Sequence, residues 1–192
     1  MSAGHGHGPD HHVSGDKKIG LLIAVLALVL AFAETLGKGA QTQALTANIE
    51  ASNLWNFFQA KTLRLTVLRT AAEASALELA RTADPKAKEV VEKQIAGWRK
   101  TADRYDSEPE TNEGRKELAA RAKATEQKRD RSFAAYHHYE TASAAAQIAI
   151  VLSSAAIITG LATLIWLAGA LGIAGVAFCL IGFFWPTAVH LF

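Results

Sequence analysis

The chain has 192 residues, of which 50% are hydrophobic and 20% charged, with a formal net charge of +2. So small an excess, with both signs interleaved, excludes a surface built to track nucleic-acid phosphates, and the lone Cys179 excludes an intramolecular disulfide. Eighteen of the 20 basic residues and 15 of the 18 acidic ones fall between Lys38 and Glu140, leaving long apolar stretches on either side.

Residues 1–18 form a tail rich in Gly and His. Low hydrophobicity leaves nothing to offset the entropy of ordering it, so disorder is expected there. His5, His7, His11 and His12 offer imidazoles of the kind transition metals take, but no rigid frame or carboxylate at helical spacing accompanies them. They are weak metal candidates, and no cofactor is expected. Residues 19–36 are apolar up to Glu34, close to the ~20 residues with which a helix crosses a bilayer. Lys17 and Lys18 precede this run as in a signal peptide. The run exceeds the usual ~7–15 residues, however, and continues without Pro, so a retained anchor is expected.

Residues 37–141 read as a helical insert. Phe58, Leu65, Leu68, Ala72 and Leu79 recur at helical steps, with Trp55 and Thr62 beside them. Asp84-Pro85 stops this helix, because the residue before Pro leaves the α region and Pro donates no hydrogen bond. Asp84 as cap and Pro85 at the first position then suit a second helix over residues 85–105, with Val91, Ile95, Trp98, Ala102 and Tyr105 on its apolar face. Residues 106–114 carry Pro109, Asn112 and Gly114 and favour a loop. A third helix starts near Arg115 and runs through Leu118, Ala122, Thr125, Phe133 and Tyr136 into the next apolar stretch. At ~1.5 Å per residue the outgoing helix and the two returning pieces each sum to roughly 70 Å, which predicts one antiparallel hairpin with its tip at Asp84-Pro85. Its seam is narrow, so the hairpin gains from a partner, and homo-oligomerisation is the natural source.

Residues 142–167 and 171–190 are two further apolar stretches. Tyr136-His137-His138-Tyr139, just ahead of them, reads as an interfacial anchor, with a proton-sensing or metal role for the two His as the sharper alternative. Gln147, Ser153 and Ser154, with Thr159 and Thr163, are the polar groups inside, and all are neutral. Ser and Thr can bond the carbonyl four residues back, so helix–helix adhesion is favoured over ion conduction. Gly169, Gly172 and Gly175 are expected to loosen the turn into the last stretch.

The block Ala47-Asn48-Ile49-Glu50-Ala51-Ser52-Asn53-Leu54-Trp55-Asn56-Phe57-Phe58-Gln59-Ala60-Lys61 resembles the signature of a bacterial membrane family known as domain of unknown function 4337. Tyr139-Glu140 followed by residues 147–152 is similar to that family's entry into its second span, and the His-rich start also fits. Asn53-Leu54 departs from the Asp-Gln common before the Trp. The resemblance implies a membrane location and this span pattern, and no activity. On a helix Trp55, Phe58 and Gln59 share one face, while Phe57 and Lys61 lie on an adjacent one. The block is expected to pack between the arms near residues 122–125, with docking of a partner protein as the alternative. It holds no nucleophile–base pair.

Short-loop charges divide over orientation. Lys17 and Lys18 favour a cytoplasmic N-terminus, and Lys38, Lys128, Arg129 and Arg131 a cytoplasmic insert. The expectation is a multi-pass protein of the bacterial inner membrane with the hairpin on the periplasmic side. The fold class is all-α: an integral membrane protein with three transmembrane helices and a long water-exposed helical hairpin, or coiled-coil, insert. The function expected is non-enzymatic, a scaffold or assembly subunit that binds itself or a membrane-protein partner through the hairpin, with lipid around its spans. The alternative is a small oligomeric channel or transport accessory lined by the second span. No small-molecule ligand can be named from the sequence.

Overall fold

The computed structural model describes residues 11–189, with side chains from Lys17 onward. His5 and His7, and the side chains of His11 and His12, lie outside the described residues. Four helices follow one another: α1 (His11–Leu79), α2 (Pro85–Asp106), α3 (Arg115–Thr159) and α4 (Ala162–Phe184). The described residues contain no strand. Three helical stretches, Lys17–Leu79, Arg115–Thr159 and Ala162–Phe184, are long and apolar enough to cross a membrane. Lys17 and Lys18 already belong to α1, not to an irregular tail, because nothing between them and Ile19 breaks a helix. The chain forms two compact units, one of Met1–Ala44 with Asp130–Phe192 and one of Leu45–Arg129.

In the Leu45–Arg129 unit, α1 ends at Leu79, four residues earlier than the position of Pro85 requires, and Arg81 and Thr82 close a turn on Glu78. Asp84 caps α2: its extended backbone (φ −72°, ψ 121°) lets the carboxylate accept from the Lys86 amide at 3.1 Å. Pro85 occupies the first turn, where its missing N–H costs nothing. The internal seam consists of Ala47, Ala51, Leu54, Leu65 and Ala72 of α1, Ile95 and Ala102 of α2, and Leu118 and Ala122 of α3, all buried. With Lys61, also buried, and the half-buried Phe58 and Leu68 between them, the α1 positions alternate steps of four and three residues, the pattern by which helices pack side by side. The hairpin with a broken return arm is therefore present, pivoting at Asp84-Pro85.

In the other unit small residues set the packing. Leu26, Ala33 and Gly37 of α1, Ala142, Ala146, Ala149 and Ser153 of α3, and Ala168, Gly172, Gly175 and Gly182 of α4 are buried. A Cβ at Gly172 would meet Leu26 Cδ2 at 2.6 Å, and one at Gly182 would meet His138 Cβ and Tyr139 Cε1 at 3.0 Å. Glycine there permits a backbone approach that no other residue would. The turn between the last two apolar helices corrects the expectation from sequence. It lies at residues 160–161, not at 168–170, because Gly160 adopts φ +70° and its N–H bonds Ala156 O at 2.9 Å, ending α3. Gly169, Gly172 and Gly175 instead sit inside α4.

Candidate functional site

The densest set of chemically capable side chains lies in the Leu45–Arg129 unit. Trp55 on α1 donates from Nε1 to Glu126 Oε1 of α3 at 3.0 Å. Its ring meets Phe58 edge-on, with centroids 5.3 Å apart at 84°. Phe58 in turn lies under the Arg115 guanidinium at 5.8 Å. One turn further along α1, Lys61 is only 6% exposed. Its ammonium stands 5.4 Å from the centre of the Phe57 ring, 5.0 Å from that of Tyr105, and 3.8 Å from Glu108 Oε2. Two ring faces and a carboxylate thus replace the water that this charge has lost. Gln59 is exposed and stands apart from the group.

The loop between α2 and α3 locks this layer from outside. Glu117 accepts from Ser107 Oγ at 2.7 Å and from the Glu108 amide at 3.1 Å. The Ser107 hydroxyl, then the Glu108 amide, hold the Glu117 carboxyl below its ordinary range. Asp106 binds Arg115 at 2.8 Å and Lys116 at 2.9 Å. The Lys116 hydrogen bond is the main cause of a lowered Asp106 pKa, with Arg115 adding to it and burial opposing it. A Cβ at Gly114 would collide with the Glu117 carboxylate and the Glu108 backbone, so the loop closes only over glycine.

A second cluster lies in the other unit, where α3 meets the end of α4. His138 is 1% exposed and its Nε2 faces Pro186 O at 3.1 Å, which requires that nitrogen to carry the proton and donate. The ring stacks on Phe178, with centroids 6.2 Å apart at 23°, and Nδ1 has no hydrogen-bond partner among the described residues. Beside it a groove of about 310 Å³ is lined by Glu34, Lys38, Tyr136, Tyr139, Glu140 and Ser143 among others. Within the apolar part of α3, Ser153 and Ser154 bond Ala149 O and Ile150 O at 2.8 and 2.9 Å, and Gln147 reaches Ser143 Oγ at 3.3 Å. Ser153 is buried, whereas Glu34, Gln147 and Ser154 are exposed.

With these features in place, comparison with known proteins is informative. The family model described as Domain of unknown function (DUF4337) matches residues 15–185. The chain belongs to that family. No curated protein and no solved structure matches it. The DUF4337 match takes in α2, α3, α4 and nearly all of α1, and with them the whole Trp55–Lys61 block.

For a DUF4337 chain, the arrangement around Lys61 speaks to chemistry. Each capable group is engaged by another: the amine by rings and a carboxylate, the indole by Glu126, the loop carboxylates by Lys, Arg, Ser and a backbone amide. Among the described residues no group of three His, Cys, Asp or Glu side chains is placed to hold a metal ion. The layer can hold two arms of a hairpin in register.

The sequence brought Trp55, Phe57, Phe58 and Lys61 together but not their partners Tyr105, Glu108, Arg115 and Glu126. Glu126 carried a usable signal, since it follows Ala122 by one helical turn. The run Tyr136-His137-His138-Tyr139 reads in sequence as an interfacial anchor, whereas the structure buries its His138 and Tyr139. Tyr139, Ala142, Ala146, Ala149, Ser153 and Ala156 form an alternating four-and-three series, so the buried face of α3 was visible in the spacing.

Proposed function

We propose that this DUF4337 protein is a non-enzymatic, multi-pass membrane scaffold whose helical hairpin faces water and binds copies of itself or another membrane protein. The observation that carries this reading is the exposed apolar surface of the hairpin. Leu45, Ile49, Leu63, Val67 and Leu77 on α1 are all more than half exposed, a large apolar display for a helix that leaves the bilayer. Large apolar side chains left exposed along a water-facing helix are the material of interaction sites. The equally exposed Leu21, Phe32, Ile158, Trp166 and Ile173 lie on the spanning stretches, where lipid covers them.

On this reading the protein sits in the inner membrane of a bacterium, with the hairpin on the periplasmic side. Extraction in mild detergent followed by native mass measurement tests it. A defined oligomer, or a stoichiometric complex with a membrane protein, is the expected result; a monodisperse monomer across several mild detergents overturns it. A second reading, a small oligomeric channel, draws on Gln147, a polar and exposed side chain within the apolar part of α3. Ion current in a planar bilayer that changes with Gln147→Leu would favour the channel.

A further inference from the structure

α1 carries two packing seams, not one, in the Leu45–Arg129 unit. The first faces α2 and α3 and is filled. The second is exposed to solvent. Ile49, Asn56, Leu63, Thr70 and Leu77 recur every seven residues, and every one is exposed. A second row four residues on, Asn53, Ala60, Val67 and Ala74, is likewise exposed throughout. Together they alternate steps of four and three, as the two rows of a coiled-coil seam do, and six of the nine (Ile49, Ala60, Leu63, Val67, Ala74 and Leu77) are apolar. Leu63 follows buried Leu54 by nine residues, about 180° at ~100° per residue, so the two seams lie on opposite faces of the helix. Four uninterrupted heptads cover roughly 42 Å of helix.

We propose that this second seam, residues 49–77, pairs in parallel and in register with the same seam of a second copy of the chain. The inference rests on the reading that the protein self-assembles in a membrane, and it assigns the surface and geometry. The period calls for a helix as occupant. The direction follows from connectivity: α1 passes from its apolar stretch into the seam in every copy, so copies anchored in one membrane run this helix the same way. Identity of the partner follows from the polar layers. In a parallel, in-register pair each residue meets its own counterpart, and Asn53 and Asn56 each meet an amide that can both donate and accept. Asn in such a seam fixes register and the number of strands. Of the flanking positions, Ser52, Gln59 and Thr66 on one side and Phe57 and Ala71 on the other are uncharged, and the charged Glu50 and Arg64 of that second side meet the uncharged Leu45 and Gln59 of the other copy. Only at the far end do like charges approach, Glu73 against Glu78 five residues on.

Single-cysteine variants of the full-length protein in lipid, each in a Cys179→Ala background, test the geometry under mild oxidation. Leu63→Cys and Thr70→Cys should form disulfide-linked dimers at least tenfold more efficiently than Arg69→Cys, which lies off the seam, or Lys93→Cys on α2. Leu63→Glu with Val67→Glu should cut the Thr70→Cys crosslink at least tenfold while helix content stays unchanged. Absence of seam crosslinks from a protein whose native mass is still oligomeric overturns the seam and leaves self-assembly standing. A monomeric mass without crosslinks overturns both. Efficient crosslinking between tagged Ile49→Cys and Leu77→Cys copies overturns the parallel register.

Discussion

Trp55 Nε1 and Glu126 Oε1, separated by 71 residues in sequence, meet at 3.0 Å and fix the register of the outgoing and returning arms of the hairpin. A one-turn slip of either arm would move the partners ~5.4 Å apart and leave the indole N–H of a half-buried side chain without an acceptor. The bond therefore discriminates between registers that apolar packing alone would score alike.

Trp55→Phe should keep the ring packing on Phe58 and lose only the hydrogen bond. The expected cost is about 0.5–1.5 kcal/mol. Trp55→Ala also removes the ring and should cost about 3 kcal/mol, reduced by whatever the half-exposed site recovers from water. Thermal melts of the full-length protein, followed by helix content, should rank the two in that order. Equal melts for wild type and Trp55→Ala would contradict the role given to this layer.

Lys61 allows its stem and its charge to be separated. Lys61→Met keeps most of the buried stem and removes the cation, and Glu108 retains Arg104 at 3.3 Å. Lys61→Ala removes both stem and charge, so it should be the more damaging by roughly 2 kcal/mol. If Lys61→Met proved as harmful as Lys61→Ala, the ion pair and ring contacts would outweigh packing.

Acid should open the loop before it melts the spanning helices. Asp106 and Glu117 both have lowered pKa values in the folded protein. A lowered carboxylate pKa means that the unfolded chain binds more protons at low pH, so stability is full above the unfolded values of about 3.9 and 4.3 and is lost as pH falls through the folded ones. Hydrogen-exchange protection at residues 107–114, taken relative to the intrinsic rate at each pH, should fall below about pH 4 while the backbone of α4 stays protected. Asp106→Asn with Glu117→Gln should flatten that fall.

Gly182 and Gly169 provide a matched pair in α4. A Cβ at Gly182 would press on His138 and Tyr139, whereas one at Gly169 meets nothing within 4 Å. Gly182→Leu should lose about 1–3 kcal/mol through overpacking. Gly169→Leu should be neutral or slightly stabilising, since leucine favours helix more than glycine does. Thermal melts in lipid would show the difference directly.

Periodicity made the helices legible in advance, because apolar spacing and Pro85 act locally. Phe58, Leu65, Leu68 and Ala72 face inward as their spacing indicates, and Asp84-Pro85 begins α2. Two features were hidden for a physical reason. Gly160 looks like the other glycines near it, and only its backbone, at φ +70°, marks it as the turn. Burial of His138 depends on Phe178 and Gly182, forty or more residues away, a contact that no local pattern encodes. The exposed seam is faint in the sequence for a different reason: Asn53, Asn56 and Thr70 dilute its hydrophobicity, and only the filling of the opposite face of α1 sets it apart.

Assembly through the hairpin is tested without detergent by counting photobleaching steps of singly labelled, full-length protein in membranes at low density. A fixed number of steps greater than one is expected for wild type, falling to one for Leu63→Glu with Val67→Glu. Single-step bleaching of the wild type, at densities where it remains folded and membrane-bound, would contradict it.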